Sequence, residues 1–250
     1  MSHALGYAAL GTFFTFAMTT LGSAMVFPLG GEMCPRSPEA MLGFAGGVMT
    51  AASVWSLLLP AIEQAAEGSL PPWLPAAAGV TLGAVFLAAL DAALPRLRKG
   101  TAEEQRERNT LLFTAITLHN IPEGMAVGLA FALAADGEGL AGAAALALGI
   151  GIQNFPEGAA ISLPMRRMGE SRGRAFLGGT LSGAVEPVFG LLAATAAGTR
   201  TLMPWLLSFA AGAMIYVVVE ELVPQSNTRR GVCGFMSGFL LMMVLDVALG

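Results

Sequence analysis

Charged residues are scarce in this chain. Asp, Glu, Lys and Arg make up 12% of its 250 residues, whereas 55% are hydrophobic and the mean hydropathy is +0.68. A soluble domain carries about 25% charged residues, so this scarcity excludes an ordinary water-soluble fold and predicts a membrane protein. The length suits a single transmembrane domain over residues 1–250, with no separate soluble module.

Cysteine and histidine are scarce as well, with two residues of each. Cys34 and Cys233 form no CxxC pair, which argues against a disulfide framework and against a thiolate metal site. The methionines form no cluster with histidine, so apolar packing is favoured over a copper(I) pathway. The first apolar run lacks a preceding basic region and is too long for a signal-peptide core, so it is interpreted as a retained first helix.

Long apolar runs are abundant. A membrane-spanning helix needs about 20 mostly apolar residues, and eight runs qualify, separated by polar breaks. Only the charged stretch 96–109 is long enough for a flexible loop. The predicted helices are residues 5–29, 40–63, 74–95, 110–134, 140–163, 175–197, 203–224 and 232–249.

Basic residues are distributed unevenly among these breaks. Twelve of the thirteen Lys and Arg residues lie in odd-numbered breaks, and Arg200 alone lies in an even one. Since basic loops face the cytoplasm, the odd breaks, including loop 96–109, are predicted to be cytoplasmic. The predicted fold is an all-α, polytopic bundle of eight transmembrane helices in the inner (plasma) membrane, with both termini outside.

One polar motif occurs twice in neighbouring predicted helices, as HNIPEG at 119–124 and QNFPEG at 153–158. An ionisable residue at mid-membrane costs about 2.5–3.5 kcal/mol on insertion scales. Several such residues kept together usually form a pair, a proton relay or an ion path. The duplication therefore predicts a paired site between helices four and five.

The spacing within the motif places its polar groups together. His119 and Glu123 lie four residues apart, so they share one helix face. The same spacing joins Gln153 to Glu157. Imidazole, carboxylates and amide oxygens suit zinc, iron(II), cobalt, nickel or manganese better than copper(I). A packed structural motif, a proton relay and a site for a non-metal substrate remain open as alternatives.

The motif also contributes asparagines, prolines and glycines to the predicted site. Asn120 and Asn154 lie on the adjoining edge of the same faces. The motif prolines free backbone carbonyls, which is tolerated at membrane depth where they line a cavity or meet a ligand. Gly124 and Gly158 are expected to let helices four and five approach each other.

Other acidic residues in the predicted helices differ in how strongly their positions indicate a functional role. Glu186 lies near the middle of helix six before a proline, and a functional role is favoured. Glu220 and Glu221, near the cytoplasmic end of helix seven, fit either an exit-path ligand or a solvated end charge. Asp246 lies close to a helix end, where an interfacial position is expected. From composition alone, Met49 is interpreted as ordinary packing.

At these motifs the chain resembles the ZIP (Zrt-, Irt-like protein) family of metal transporters, in its GufA-like bacterial branch. The resemblance rests on HNIPEGMAVG at 119–128, QNFPEGAAISLP at 153–164 and SGAVEP at 182–187, and it extends over most of the chain. It implies inward transport of zinc, or of iron, cadmium or manganese, through a binuclear centre between helices four and five. It also implies an elevator-like or rocking movement of a helix bundle that contains them.

The resemblance assigns further residues. It implies that Met49 completes the transport site of His119, Glu123, Gln153 and Glu157, and that Asn120, Asn154 and Glu186 join the two glutamates in a second site. This sequence departs from many relatives at two positions, since Asn154 stands where an Asp is common and Glu220 where a His is seen. Loop 96–109 also lacks the histidines that many relatives have.

Two other classes of function fit the sequence less well than transport of a metal. An intramembrane metalloprotease would need HExxH or a comparable ligand set, which the sequence lacks, so no enzyme is predicted. A proton-coupled permease for an organic solute would need aromatic or basic substrate contacts, which the predicted spans do not offer. The expected partners are divalent metal ions and the lipid bilayer, and small-residue helix faces are compatible with a homodimer. No nucleic acid and no prosthetic group are expected.

Overall fold

The computed structural model describes residues 2–29, 38–93, 102–134, 139–167, 169–196 and 201–249. Within these ranges the chain is all-helical, as predicted, with no β-strand. We label its helical segments α1 to α8. They are α1 (Ser2–Ala24, then Val26–Leu29), α2 (Pro38–Ala52, Ser53–Leu58, Leu59–Ala66), α3 (Trp73–Ala93), α4 (Ala102–Leu133), α5 (Leu140–Arg167), α6 (Arg172–Gly183, Val185–Ala196), α7 (Met203–Val217, Val218–Leu222, Val223–Gln225) and α8 (Arg229–Leu249).

Six of these segments are long and apolar enough to cross a membrane, namely α1, α2, α3, α6, α7 and α8. The other two, α4 and α5, are the longest single helices described, with 32 and 28 residues. They carry the duplicated polar motif, which lowers their hydropathy. The two helices that look least suited to lipid are therefore the ones that hold the candidate site.

Proline accounts for the places where helices change course. Proline has no amide hydrogen, and its ring clashes with the carbonyl four residues earlier. Helix α6 breaks between Gly183 and Val185, at the carbonyl that Pro187 leaves unbonded. In α2 and α7 the helix widens into π-helical turns that end just before Pro60 and Pro224. Such π turns inside α-helices occur frequently at functional sites.

Helix α4 starts earlier than the sequence indicated. It begins at Ala102, inside the stretch 96–109 that charge density marked as a loop. Residues 102–108 are rich in Ala, Glu, Gln and Arg, which have high helix propensity. Charge excludes this stretch from the membrane interior, but it does not prevent a helix.

Glycine-mediated contacts divide the helices into two groups. Where a described glycine lies against the backbone of another segment, both segments belong to the same group. We call α1, α4, α5 and α6 the first bundle, and α2, α3, α7 and α8 the second bundle. A Cβ at these glycines would collide with backbone atoms, so only glycine permits the close approach. The contacts run Gly22–Phe155, Gly128–Gly190, Gly158–Thr19, Gly179–Gly158, Gly43–Gly231, Gly47–Phe235, Gly83–Phe209, Gly212–Val80 and Gly231–Ser226, the last at the residue that follows α7.

Contacts between the two bundles are of a different kind. Gly149 of α5 faces the thioether of Met242 on α8 and a methyl group of Val48 on α2. The main cluster of buried apolar side chains spans this boundary, with Leu146 of α5 and Met214 of α7 among its members. Backbone packs against backbone inside each bundle, whereas side chains pack against side chains between them.

The expected role of the motif glycines was wrong in one respect. Gly124 does not face α5; it faces the backbone of Glu186 on α6. Gly158 does not face α4; it faces the backbone of Thr19 on α1. The two glycines permit close approach, as predicted, but each motif uses its glycine to dock onto a different third helix. Helices α4 and α5 meet through their polar side chains.

Candidate metal centre

Gln153 is the centre of the polar network between α4 and α5. Its side-chain Nε2 donates to Glu123 Oε1 at 2.7 Å and to Asn154 Oδ1 at 2.6 Å. Gln153 and Glu123 are each 1% exposed and Asn154 is fully buried. Since buried polar groups need partners, the amide holds both motifs in one register. The helix-face argument predicted this meeting of the two motifs.

Glu186 of α6 joins the same network. Asn154 Nδ2 donates to Glu186 Oε2 at 2.9 Å, and Thr19 Oγ1 of α1 donates to Glu186 Oε1 at 3.0 Å. Each carboxylate oxygen thus accepts a bond from a different helix, which fixes the plane of the group. Glu186 and Thr19 are both fully buried.

Asn154 has a role here that an aspartate could not take. Its amide accepts from Gln153 and donates to Glu186, whereas an ionised aspartate can only accept. An aspartate would also bring a like charge next to Glu186. Asparagine at this position therefore provides a hydrogen-bonded bridge where an aspartate would place a charge.

Two buried oxygens near this network have no hydrogen-bond partner among the described residues. They are Glu123 Oε2 and Asn120 Oδ1. The Asn120 amide nitrogen is satisfied, since it donates to the Ser182 carbonyl of α6 at 2.9 Å. A buried acceptor without a donor is costly unless something else supplies positive charge. Both oxygens are of the kind that divalent cations bind.

His119 points away from this network. Its Nε2 lies 3.3 Å from Glu221 Oε1 on α7, and the two side chains are 12% and 29% exposed. This contact links the first bundle to the second bundle. His119 and Gln153 occupy the same motif position, yet one reaches outside its bundle and the other stays within it.

Glu157 is partly buried and lies on α5, four residues after Gln153. In the described parts of the chain, however, no three His, Cys, Asp or Glu side chains converge closely enough to hold a metal ion. The carboxylates share one region without forming a closed ligand shell.

Met49 lies buried on α2, 2% exposed, and belongs to the apolar core. Its backbone carbonyl accepts from Ser53 Oγ at 2.7 Å, where the π-helical turn of α2 begins. Its chain neighbour Val48 faces Gly149, one turn before Gln153. Met49 is thus on the helix that faces α5 but outside the hydrogen-bonded network.

Asp246, which was expected at the membrane interface because it lies close to a helix end, is 8% exposed and contacts α2. Its Oδ1 accepts from Ser56 Oγ at 2.5 Å. Ser56 belongs to the π-helical turn of α2. No pattern in the sequence indicated this partner.

Thr19 and the pairing of Glu221 with His119 were not anticipated from the sequence. Thr19 belongs to a polar face of α1 that repeats at helical spacing and is fully buried: Thr12, Thr15, Thr19 and Ser23. That buried hydroxyl stripe is a signal present in the sequence, since threonine side chains in apolar helices commonly bond across an interface. No local pattern indicated which partner Glu221 would meet.

Comparison with known proteins agrees with the motifs. A family model described as "ZIP Zinc transporter" matches residues 98–246. The zinc transporter GufA of Myxococcus xanthus is 37% identical, with 88% of this chain and 90% of that protein covered. ZIPB of Bordetella bronchiseptica, a zinc transporter, is 40% identical, with 98% and 82% covered. Zinc transporter ZIP11 of Homo sapiens is 35% identical, with 97% of each chain covered.

These relatives are named as transporters and not as enzymes. The matches extend over nearly the whole chain, and the family model includes both copies of the motif. The resemblance that the motifs indicated is confirmed, and the chain belongs to the ZIP family of zinc transporters.

Proposed function

We propose that this protein carries divalent metal ions, zinc first, across the inner membrane into the cytoplasm, and that the ion passes through the network between α4 and α5. The observation that carries the proposal is the buried Oε2 of Glu123, which has no hydrogen-bond partner among the described residues, in a network that also contains the buried carboxylate of Glu186. Burying several carboxylates is costly unless a cation neutralises them. A divalent cation would do so and would use the free oxygen.

The available donors suit zinc. Zinc takes imidazole nitrogen and carboxylate oxygen in close, roughly tetrahedral arrangements. In our proposal His119, Glu123, Gln153 and Glu157 are the transport ligands, with Met49 approaching from α2. Asn120, Asn154 and Glu186 form the neighbouring second site. Iron, cadmium or manganese could use the same oxygen-rich set.

Metal binding would compete with the contact between the bundles. His119 Nε2 is the atom that faces Glu221, so it must leave that carboxylate to bind a metal ion. The contact between His119 of α4 and Glu221 of α7 would then be lost as the ion is bound. Because the other contacts across the boundary are between side chains, the first bundle could shift as a unit against the second. This is the physical basis we propose for the rocking or elevator-like step.

We also propose that α4 and α5 span the membrane with the other six helices, so that all eight helices cross it and both termini lie outside. Their low hydropathy comes from the motif, whose side chains bond within the protein and need not face lipid. The segregation of basic residues supports this orientation. The transport domain would be residues 1–250, with 96–109 on the cytoplasmic side; a homodimer is compatible with this arrangement.

The proposal is tested by zinc flux into proteoliposomes that contain a fluorescent indicator. Glu123→Ala removes a buried ligand, and we expect flux to fall by more than about a hundredfold, since loss of outer-shell partners alone costs about 10–100-fold. His119→Ala should lower flux strongly as well. Glu63→Ala is the matched control, because Glu63 is an exposed carboxylate near the end of α2.

Correct folding of each variant is checked by its elution in detergent before reconstitution. If zinc flux is unchanged by both substitutions in folded protein, the ion does not pass between α4 and α5. Native protein that moves neither zinc, manganese nor iron(II) would overturn the proposed function itself.

A further inference from the structure

A groove of about 960 Å³ opens between α2 and α8 of the second bundle and α5 of the first bundle. Its lining includes both apolar and cationic residues. Met41, Phe44 and Ile152 form an apolar wall, whereas Arg229 and Arg230 stand at the start of α8. Both arginines are exposed. The groove therefore has a cationic end and an apolar body.

This combination specifies the chemistry of an occupant. The planar guanidinium of arginine matches phosphate oxygens in pairs, and basic pockets between membrane helices attract anionic lipid headgroups. A soluble anion such as free phosphate would bind the arginines but would make no apolar contact with the wall. A phospholipid supplies both an anionic phosphate and a hydrocarbon chain. The volume lies at the upper end of the roughly 300–1,000 Å³ of small-molecule sites.

We propose that this groove binds one anionic phospholipid, with its phosphate at Arg229 and Arg230 and the start of an acyl chain along Met41, Phe44 and Ile152. None of the residues of the polar network lines the groove. The lipid would touch both bundles at once. Its binding is a separate property from metal transport.

The position of the groove connects it to the transport site. Ile152 and Pro156 line it, and they are the direct chain neighbours of Gln153 and Glu157. A chain lying there would contact the turn of α5 that carries the motif as well as α2 and α8. Any movement of α5 against the second bundle would change the shape of the groove. This consequence, unlike the binding itself, rests on the proposed function.

Lipid binding is tested by native mass spectrometry of the purified full chain, with phosphatidylglycerol or phosphatidylcholine added. We expect the native protein to retain one phosphatidylglycerol in preference to phosphatidylcholine. The double change Arg229→Gln and Arg230→Gln should reduce that preference by about tenfold. The double change Arg172→Gln and Arg174→Gln is the control, because both are exposed arginines at the start of another helix, α6.

A second variant tests the apolar body of the groove. Ser237 lines it and is exposed, so Ser237→Trp should fill the space without disturbing the core and should displace the lipid while both arginines remain. The proposal is overturned if this variant keeps phosphatidylglycerol, if both arginine pairs behave alike, or if the native chain retains both lipids equally. It is also overturned if a second copy of the chain, and not lipid, covers this face.

Flux in vesicles of each lipid separates the two proposals. If phosphatidylglycerol changes zinc flux in the native chain but not in the Arg229→Gln, Arg230→Gln variant, the groove acts on transport. A native chain that retains phosphatidylglycerol yet carries no metal would leave the lipid site supported and overturn the proposed function alone.

Discussion

The two copies of the motif have the same spacing but different partners. In α5, Gln153 and Asn154 bond to carboxylates of the first bundle. In α4, His119 reaches Glu221 of the second bundle. The copy in α5 holds the site together, whereas the copy in α4 connects it to the rest of the molecule. The duplicated sequence thus bonds within the first bundle on α5 and contacts the second bundle on α4.

The strongest test of this difference compares loss of Gln153 with loss of His119. Gln153→Ala deletes two buried donated bonds and orphans their acceptors, so we expect the free energy of unfolding to fall by about 2 kcal/mol. His119→Ala removes one partly exposed contact and should cost less than about 1 kcal/mol. Denaturation in mixed detergent micelles measures both. Equal losses would mean that the two copies play the same structural part.

Asn154→Asp tests the bridging role of Asn154 by introducing the aspartate that the family resemblance leads us to expect there. The change removes the donor to Glu186 and adds a like charge, so without metal we expect a loss of roughly 1–2 kcal/mol in the free energy of unfolding. Zinc should reverse more of this loss than it adds to the native protein, because the extra carboxylate can bind it.

The control for that experiment is Asn227→Asp, since Asn227 is exposed between α7 and α8, outside the network. Unfolding is followed with zinc and with a chelator. If zinc stabilises both variants to the same extent, Asn154 has no particular connection to the metal through Glu186.

Thr19→Val tests whether α1 orients Glu186. Valine keeps the size of threonine but cannot donate to the carboxylate, and we expect zinc flux to fall roughly tenfold. Thr19→Ser keeps the hydroxyl and should restore most of the flux. Thr81→Val is the control, because Thr81 is exposed on α3 and bonds only to its own helix. Failure of serine to rescue would indicate that packing, and not the hydrogen bond, is what Thr19 contributes.

Glu221→Ala should have the smallest effect. It frees His119 from the contact with the second bundle, and we expect the free energy of unfolding to change by less than about 1 kcal/mol. Zinc affinity, measured by calorimetry in detergent, should rise because the imidazole no longer has a competing partner. Glu220→Ala removes the neighbouring exposed carboxylate and should leave zinc affinity unchanged. A fall in affinity for Glu221→Ala would instead make this glutamate a ligand.

Much of the architecture was predictable because hydropathy and charge act along the chain. The helical class followed from composition, and the meeting of Glu123 with Gln153 followed from four-residue spacing. The π-helical turns at Ser53–Leu58 and Val218–Leu222 could not be foreseen, because they depend on how neighbours pack around each helix. The contact of His119 with Glu221 could not be predicted either, because the two residues are distant in sequence and no local rule connects them.

The motif glycines illustrate the same limit. A small residue in an apolar helix predicts that something approaches closely, but it does not say what. Gly124 meets α6 and Gly158 meets α1, and either residue could have served an approach of α4 to α5. Propensity and spacing are local properties, whereas the choice of partner is settled by the whole bundle.

The order of helices along the chain has a consequence for biosynthesis. The first bundle draws on α1 and then on α4 to α6, while the second draws on α2, α3, α7 and α8. During synthesis α1 therefore enters the membrane well before its partners exist, with the hydroxyls of Thr12, Thr15 and Thr19 lacking the neighbours that later bury them. Each of these threonines bonds a carbonyl of its own preceding turn. This bonding within α1 gives the hydroxyls hydrogen-bond partners in lipid until α5 and α6 have been synthesised.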